Sequence, residues 1–304
     1  MDYRILGESD LRVSSIGLGC ATFGREIEEV TAFAVMDRAW EVGINLFDTA
    51  EAYGLPPGRS EEIVGRWLAA RGVRDRIVLA TKVHLPLTRA HILASAEASL
   101  RRLQVDAVDL FQLHTWDGNT PLAETLEACA LLVRTGKART IGCSNFAAWQ
   151  LMKALWLQDV NGWPRFESVQ SNYNLVVRDI ERELLPCCAD QQIGVLTYSP
   201  LASGFLTGKY GREGKIERGS RMDFVPQMIP IYFHEAGFRV VDGLRARATA
   251  LGVSMAHLAL AWAMSEPRVT SVLIGARSPE QVDQALAADA MGMSAELRAE
   301  LSAL

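Results

Sequence analysis

The sequence predicts an α/β chain closed as a (β/α)8 barrel, with a short N-terminal β-hairpin and extra C-terminal helices, over one domain of residues 1–304. Three observations predict it. Short apolar or β-branched runs alternate with amphipathic helical stretches eight times in series, which calls for a parallel sheet. Eight such units in 304 residues suit a closed barrel rather than an open doubly wound sheet. No G-x-G-x-x-G opens a helix after the first strand, because Gly17-Leu18-Gly19 runs on into Cys20-Ala21-Thr22, a partial match at most.

In chain order, residues 3–13 alternate weakly around Gly7 and Asp10, as a small hairpin would. Strand one is 15–19. A helix over 28–42 follows, with an apolar stripe that includes Val30, Phe33, Met36 and Trp40, and Gly43 ends it. Strand two is 45–47, followed by a helix over 61–70 that stops at Gly72. Strand three is the β-branched run 77–83, with a helix over 89–103. Strand four, 108–114, leads to a helix over 121–134 that has Pro121 at its first position. Strand five (138–142) precedes a helix over 147–157, and strand six (168–170) a helix over 179–191. Strand seven is 194–198. Residues 202–237 carry six glycines and two prolines and read as a long irregular loop. Helices over 239–251 and 255–264 lead to strand eight, 269–274, and helices over 279–288 and 295–304 close the chain.

Composition narrows the function. The chain is 49% hydrophobic and 22% charged, with 31 basic against 36 acidic residues and a formal net charge of -5. With a pI near 5.6 and no Lys/Arg run, it offers no surface for nucleic acid or anionic membrane. Five cysteines without C-x-x-C spacing argue for reduced thiols rather than a disulfide framework or structural zinc, and Cys187-Cys188 reads as helix packing. Met1-Asp2-Tyr3-Arg4 lacks a signal-peptide pattern and no apolar run reaches membrane-spanning length, so a cytoplasmic location is expected.

In such a barrel, chemistry belongs at the C-terminal ends of the strands. Strand two delivers Asp48 and, one short loop on, Tyr53. Strand three delivers Lys82, strand four His114, strand five Ser144-Asn145, strand six Gln170, strand seven Tyr198-Ser199 and strand eight Gly275-Ala276-Arg277. Singly, each has a plain structural explanation: Asp48 as a turn cap, Asp48 and Lys82 as an ion pair, His114 as a core histidine. Four such groups at three consecutive strand ends are harder to explain as packing. A phenol of pKa about 10 is an acid at neutral pH, and a neighbouring ammonium is expected to lower that value. Asp48 would hold Lys82 charged, Tyr53 would give or take a proton, and His114 would polarise a carbonyl oxygen from the other side. The set contains no hydrolase nucleophile and base. It suits a carbonyl that something else reduces, and hydride requires a cofactor.

These residues resemble the aldo-keto reductase family, whose Asp, Tyr, Lys and His tetrad matches Asp48, Tyr53, Lys82 and His114 in order and strand context. Residues 43–50 look like the family's first signature and 141–146 like its Gly-x-Ser-Asn-Phe segment; 170–174 and 198–201 also match. The resemblance extends from Leu6 to about Leu286. It implies a nicotinamide cofactor, usually NADPH, extended over the barrel mouth; no metal site is expected. It further implies that Ser144, Asn145 and Gln170 bind the carboxamide and that Tyr198 stacks on the ring. Ser199, Leu201, Gly204, Leu206 and Gly208 would line the pyrophosphate and ribose, with Arg277 near the 2′-phosphate, Gln281 at the adenine and Gly275 also among the cofactor-binding residues. Where the family usually has Glu-Asn this chain has Gln284-Ala285, and the loop 55–58 looks longer than usual. Phe23, Trp116, Phe146 and Phe224 are candidate pocket walls, each of which could equally be packed.

The expected activity is NAD(P)H-dependent reduction of an aldehyde or ketone, or the reverse oxidation, by a monomer or weak homo-oligomer acting on a small molecule. The alternatives are a Schiff-base aldolase built on Lys82 and, from a channel-associated branch of the resembled family, a cofactor-binding regulatory subunit. A metal-dependent isomerase lacks further carboxylates at the neighbouring strand ends.

Overall fold

A computed structural model describes all residues, 1–304. The hairpin is β1 (Tyr3–Ile5) and β2 (Arg12–Ser14). Eight parallel strands then close a barrel: β3 (Ile16–Gly19), β4 (Leu46–Asp48), β5 (Val78–Val83), β6 (Val108–Leu113), β7 (Ala138–Ser144), β8 (Phe166–Asn172), β9 (Gly194–Tyr198) and β10 (Ser271–Gly275). Neighbours in sequence are neighbours in space, and β10 pairs with both β3 and β9 to complete the ring.

The helices between strands are α1 (Glu29–Glu41), α2 (Arg59–Arg71), α3 (Arg89–Leu103), α4 (Leu122–Arg134), α5 (Ala148–Asn161) and α6 (Leu184–Asp190). After β9 come two single turns, α7 (Arg221–Phe224) and α8 (Ile229–Tyr232), then α9 (Glu235–Leu251) and α10 (Met255–Met264). The helices α11 (Pro279–Met291) and α12 (Ala295–Ser302) follow β10. Seventy buried residues fill the layer between barrel and helices. Inside the barrel a second cluster joins Leu6, Leu11 and Val13 of the hairpin region to Leu46, Val78, Ala80, Leu110, Leu196 and Leu273. The hairpin is therefore a plug at the end where the strands begin, and the barrel is open to chemistry only at the other end. Gly194 makes room for that plug, since a Cβ there would lie 2.7 Å from Leu6 Cδ1 and 2.9 Å from the backbone nitrogen of Gly7.

Boundaries move where side chains decide them. The strand expected at 45–47 is Leu46–Asp48, so Asp48 is the last strand residue; Asn45 instead turns its amide to Arg12 O and its carbonyl to Ser14 N. The strands β7 and β8 run two residues further toward the mouth than expected, which places Ser144 and Gln170 inside the ladder and opposite each other. Pro121 caps α4 with an extended ψ of 121° instead of starting it. The helix expected at 179–191 breaks into a 3-10 turn (Asp179–Glu181) and the short α6, whose first turn accepts Pro186 because no N–H is needed there. The region 202–237 is not a plain loop: a 3-10 turn (Ala202–Thr207), α7, a 3-10 turn (Pro226–Met228) and α8 occupy it. Helix α9 starts four residues before the expected 239, because His234 Nδ1 accepts the N–H of Gly237 as a cap. Strand β10 begins at Ser271, later than the expected 269.

Candidate active site

Alternation along β5 turns Ala80 and Lys82 into the barrel together, one layer apart. Lys82 is fully buried. Its Nζ donates to Asp48 Oδ2, to the carbonyl of Thr49 at 3.0 Å and to the Tyr53 hydroxyl at 3.4 Å. The other carboxylate oxygen, Asp48 Oδ1, accepts from Gln112 Nε2 at 3.0 Å and Gln170 Nε2 at 2.9 Å. A buried carboxylate with both oxygens engaged and a cation beside it meets the conditions under which such a pair is tolerated. Burial alone disfavours the Lys82 charge, but Asp48 and Tyr53 together outweigh it and hold its pKa above the ordinary lysine value.

Tyr53 lies in the turn between β4 and α2, where its carbonyl accepts the N–H groups of Gly58 and Ser60 at 3.1 and 3.2 Å. Ser60 Oγ ties this turn to Cys20 O at 2.8 Å, which fixes it against the next strand end. The Tyr53 ring stands edge-on to His114, with centroids 5.5 Å apart, and His84 stands edge-on to His114 at the same distance on another side. His114, the residue after β6, donates its backbone N–H to Val83 O at 2.9 Å. Burial, then the charge of Lys82, then His84, push its pKa down to about 3, so the imidazole is neutral at working pH. For Tyr53 the expected lowering is overturned. Lys82 does pull its pKa down, but burial outweighs it and the phenol ends above its usual value.

Four of the residues expected from the sequence to hold a cofactor, Ser144, Asn145, Gln170 and Tyr198, form one network with this set. Ser144 Oγ donates to Gln170 O at 3.0 Å, and Asn145 Nδ2 donates to Ser144 Oγ and to His114 O. Tyr198 OH donates to Asn145 Oδ1 at 2.8 Å. Asn145, Ser199, Ala202 and Ser203 all have φ between 50° and 60°, left-handed conformations that non-glycine residues adopt at a cost, gathered at one barrel end. Gly204 continues that turn with φ 89° and Gly208 ends it at 77°. A Cβ on exposed Gly275 would meet nothing within 4 Å, so β10 leaves open space over the mouth. Arg277 is half-buried beside it and spends Nη1 on Gly219 O at 3.0 Å, while Gln281 Oε1 accepts the Arg277 backbone N–H. A shelf of strained turn, open glycine and one arginine, continuous with the amides, fits an extended dinucleotide.

Some expectations fail in detail. Leu206 is fully buried in the core and presents no side chain to a ligand, whereas Leu201 is only partly covered. Phe23 and Phe146 are likewise core residues, leaving Trp116 and Phe224 as the accessible aromatics among the four candidate walls. Gln170 reaches Asp48 with its amide nitrogen, so its larger engagement is with the buried pair. Two participants escaped the sequence reading. Gln112 had a readable signal, an amide inside an apolar strand and in register with Lys82. Arg221 had none: it lies in the stretch taken as a loop, pairs with buried Glu26, and its charge acts on Tyr53.

A closed barrel with the Asp48, Lys82 and Tyr53 contacts at its mouth suits oxidoreduction of carbonyl compounds, and the comparisons agree. Residues 15–304 match the model of the Aldo/keto reductase family, and the chain belongs to that family. It is 36% identical to the uncharacterized oxidoreductase YrpG of Bacillus subtilis, over 98% of this chain and 94% of that protein. It is 35% identical to L-glyceraldehyde 3-phosphate reductase of Escherichia coli, over 93% of this chain and 86% of that protein. It is also 36% identical to a probable voltage-gated potassium channel subunit beta of Arabidopsis thaliana, over 93% of this chain and 90% of that protein.

Proposed function

We propose that this chain catalyses NADPH-dependent reduction of an aldehyde or ketone to the alcohol, or the reverse oxidation, with Tyr53 as the general acid. The carrying observation is the contact chain Asp48–Lys82–Tyr53 facing a neutral His114. The bound dinucleotide supplies hydride, which no side chain can deliver. Ser144, Asn145 and Gln170 would orient its carboxamide, Tyr198 would stack on its ring, and Ser199, Gly204, Gly208 and Gly275 would line its path to Arg277 and Gln281. On the substrate side, the neutral imidazole of His114 donates a hydrogen bond to the carbonyl oxygen and makes the carbon a better hydride acceptor. Tyr53 Oη gives that oxygen its proton as the alkoxide forms, and Lys82, held charged by Asp48, stabilises the phenolate left behind. The raised phenol pKa keeps the proton in place until charge develops on the oxygen. In the reverse direction the same groups accept the alcohol proton.

The aldolase alternative needs a neutral, reachable amine, and Lys82 is buried and held between three oxygens. A non-catalytic, cofactor-binding role has the resemblance to the plant channel subunit in its favour. Incubation with NADPH and a panel of aldehydes and ketones separates the two. Alcohol formed in step with NADPH consumption is expected; tight NADPH binding with no alcohol from any member of the panel would favour the regulatory reading.

A further inference from the structure

Glu51 stands in the turn that carries Tyr53, and no step assigned so far uses it. Strand β4 ends at Asp48, yet its pairing with β5 continues beyond. Thr49 donates its backbone N–H to Ala80 O at 2.9 Å, and Glu51 donates its own to Lys82 O at 3.2 Å. A parallel ladder would next set the backbone carbonyl of Glu51 against the N–H of His84. The chain turns instead, with the Tyr53 N–H on Ala50 O at 3.0 Å, and Glu51 Oε1 takes the vacant place, accepting the His84 N–H at 2.7 Å. Its other oxygen, Oε2, accepts from Ser95 Oγ on α3. His91, also on α3, brings a buried ring nitrogen without a hydrogen-bond partner to 3.8 Å from Oε1. One residue thus clasps Lys82, Val83 and His84 from both ends and ties them to α3. Between them, Val83 O accepts the N–H of His114 at 2.9 Å.

A staple that serves stability alone is the simpler explanation, since side-chain bonds to backbone often do no more. The contact it frames argues for more. Lys82 Nζ reaches the Tyr53 hydroxyl at 3.4 Å, near the outer limit of a hydrogen bond, so a small outward shift of the turn loses it. We propose that Glu51 is a positioning residue for the reduction, holding the Tyr53 turn at the distance from Lys82 that proton donation needs. The proposal rests on Tyr53 as the general acid. Glu51 acts by geometry rather than charge: its carboxylate is spent on His84, Ser95 and His91 and forms no ion pair with Lys82. Glutamine can therefore replace it, its amide oxygen accepting the His84 N–H and its nitrogen donating to Ser95 Oγ. Alanine keeps none of these contacts.

Single-turnover carbonyl reduction by the NADPH-loaded chain, with amide hydrogen exchange of the same variants without cofactor, tests this. Glu51→Ala should slow turnover by about 10–100-fold, as small misplacements of reacting groups do, and Glu51→Gln by less than about threefold. NADPH affinity should stay within about threefold in both, because the residues proposed to hold the dinucleotide lie on other strands. In the Tyr53→Phe background the alanine change should cost less than about twofold, since the group it positions is gone. Exchange at the His84 amide should quicken in Glu51→Ala and not in Glu51→Gln. Parent turnover in Glu51→Ala would overturn the proposal, as would a glutamine variant as slow as alanine. Equal slowing in both backgrounds would overturn it in favour of general damage to the fold. Unchanged exchange at His84 would also overturn it, on a readout that needs no activity. Tyr53→Phe at the parent rate would remove the general acid on which the proposal rests, a failure read on a different variant.

Discussion

His114 and Lys82 share one pocket and are pushed in opposite directions by it. Burial lowers the histidine to about 3, and Asp48 holds the lysine above its usual range although burial opposes it. Two outcomes follow for pH. Because His114 is already neutral, kcat/KM for carbonyl reduction should show no step from it between about pH 5 and 8, and should fall only beyond the ordinary phenol range as Tyr53, held above its usual value by burial, loses its proton. An inflection near 6.5 that vanishes in His114→Gln would contradict this. For stability, the unfolded chain protonates this histidine below about pH 6.5 while the folded chain resists until about 3. The folded state therefore loses stability through that window as pH falls, and His114→Gln should flatten the acid limb of the denaturation curve. For the pair itself, Lys82→Met leaves a buried carboxylate with amide donors only, and should cost about 3–5 kcal/mol in urea unfolding. Adding Asp48→Asn should return part of that loss, because the uncompensated charge goes with it.

Individual elements were legible to the extent that local pattern decides them. The β-branched run of β5 and the helix α3 stand at nearly the expected limits, since alternation and an apolar stripe with Thr88 as cap settle both. The ends of β7 and β8 were not legible. Their last residues are polar, and it is pairing with neighbouring strands, Ser144 with Gln170 and Ser171 and Asn172 with Thr197 and Tyr198, that extends the ladder over them. The turns within 202–237 were hidden for a related reason: their glycines and prolines signal irregular chain, whereas contacts across the mouth, such as Arg277 to Gly219 and Arg221 to Glu26, order them. At the other barrel end the hairpin plug depends on a missing side chain. Gly194→Ala sets a methyl against Leu6 and the backbone of Gly7, and should lower stability by about 1–3 kcal/mol, read from the urea midpoint. An unchanged midpoint would show that the plug yields freely.

Across the whole molecule, seven of the eight short barrel strands bring residues to a single surface, with the bulk of the chain serving to hold them there. The barrel and the order of its strand ends could be read from alternation alone, and the four proposed catalytic residues from their position at consecutive ends. The amide that completes the Asp48 shell left a signal, a glutamine inside an apolar strand, but Gln112 acquires its meaning only from the register that sets it beside Lys82. The sign of the Tyr53 shift was also beyond the sequence, since it turns on how far burial outweighs one neighbouring cation. The pocket rim changes in the same way: Phe23 and Phe146 belong to the core, while Trp116 and Phe224 remain accessible. No helix is long and apolar enough to cross a membrane.

The central claim is that Tyr53 protonates the carbonyl oxygen of a substrate whose carbon would take hydride from the cofactor. Single-turnover reduction by Tyr53→Phe, with NADPH binding followed in parallel by fluorescence titration, tests it most directly. The account predicts NADPH binding within about threefold of the parent and a turnover rate lower by roughly 10²–10⁴-fold. A variant that binds NADPH equally well and reduces the carbonyl at the parent's rate would contradict it.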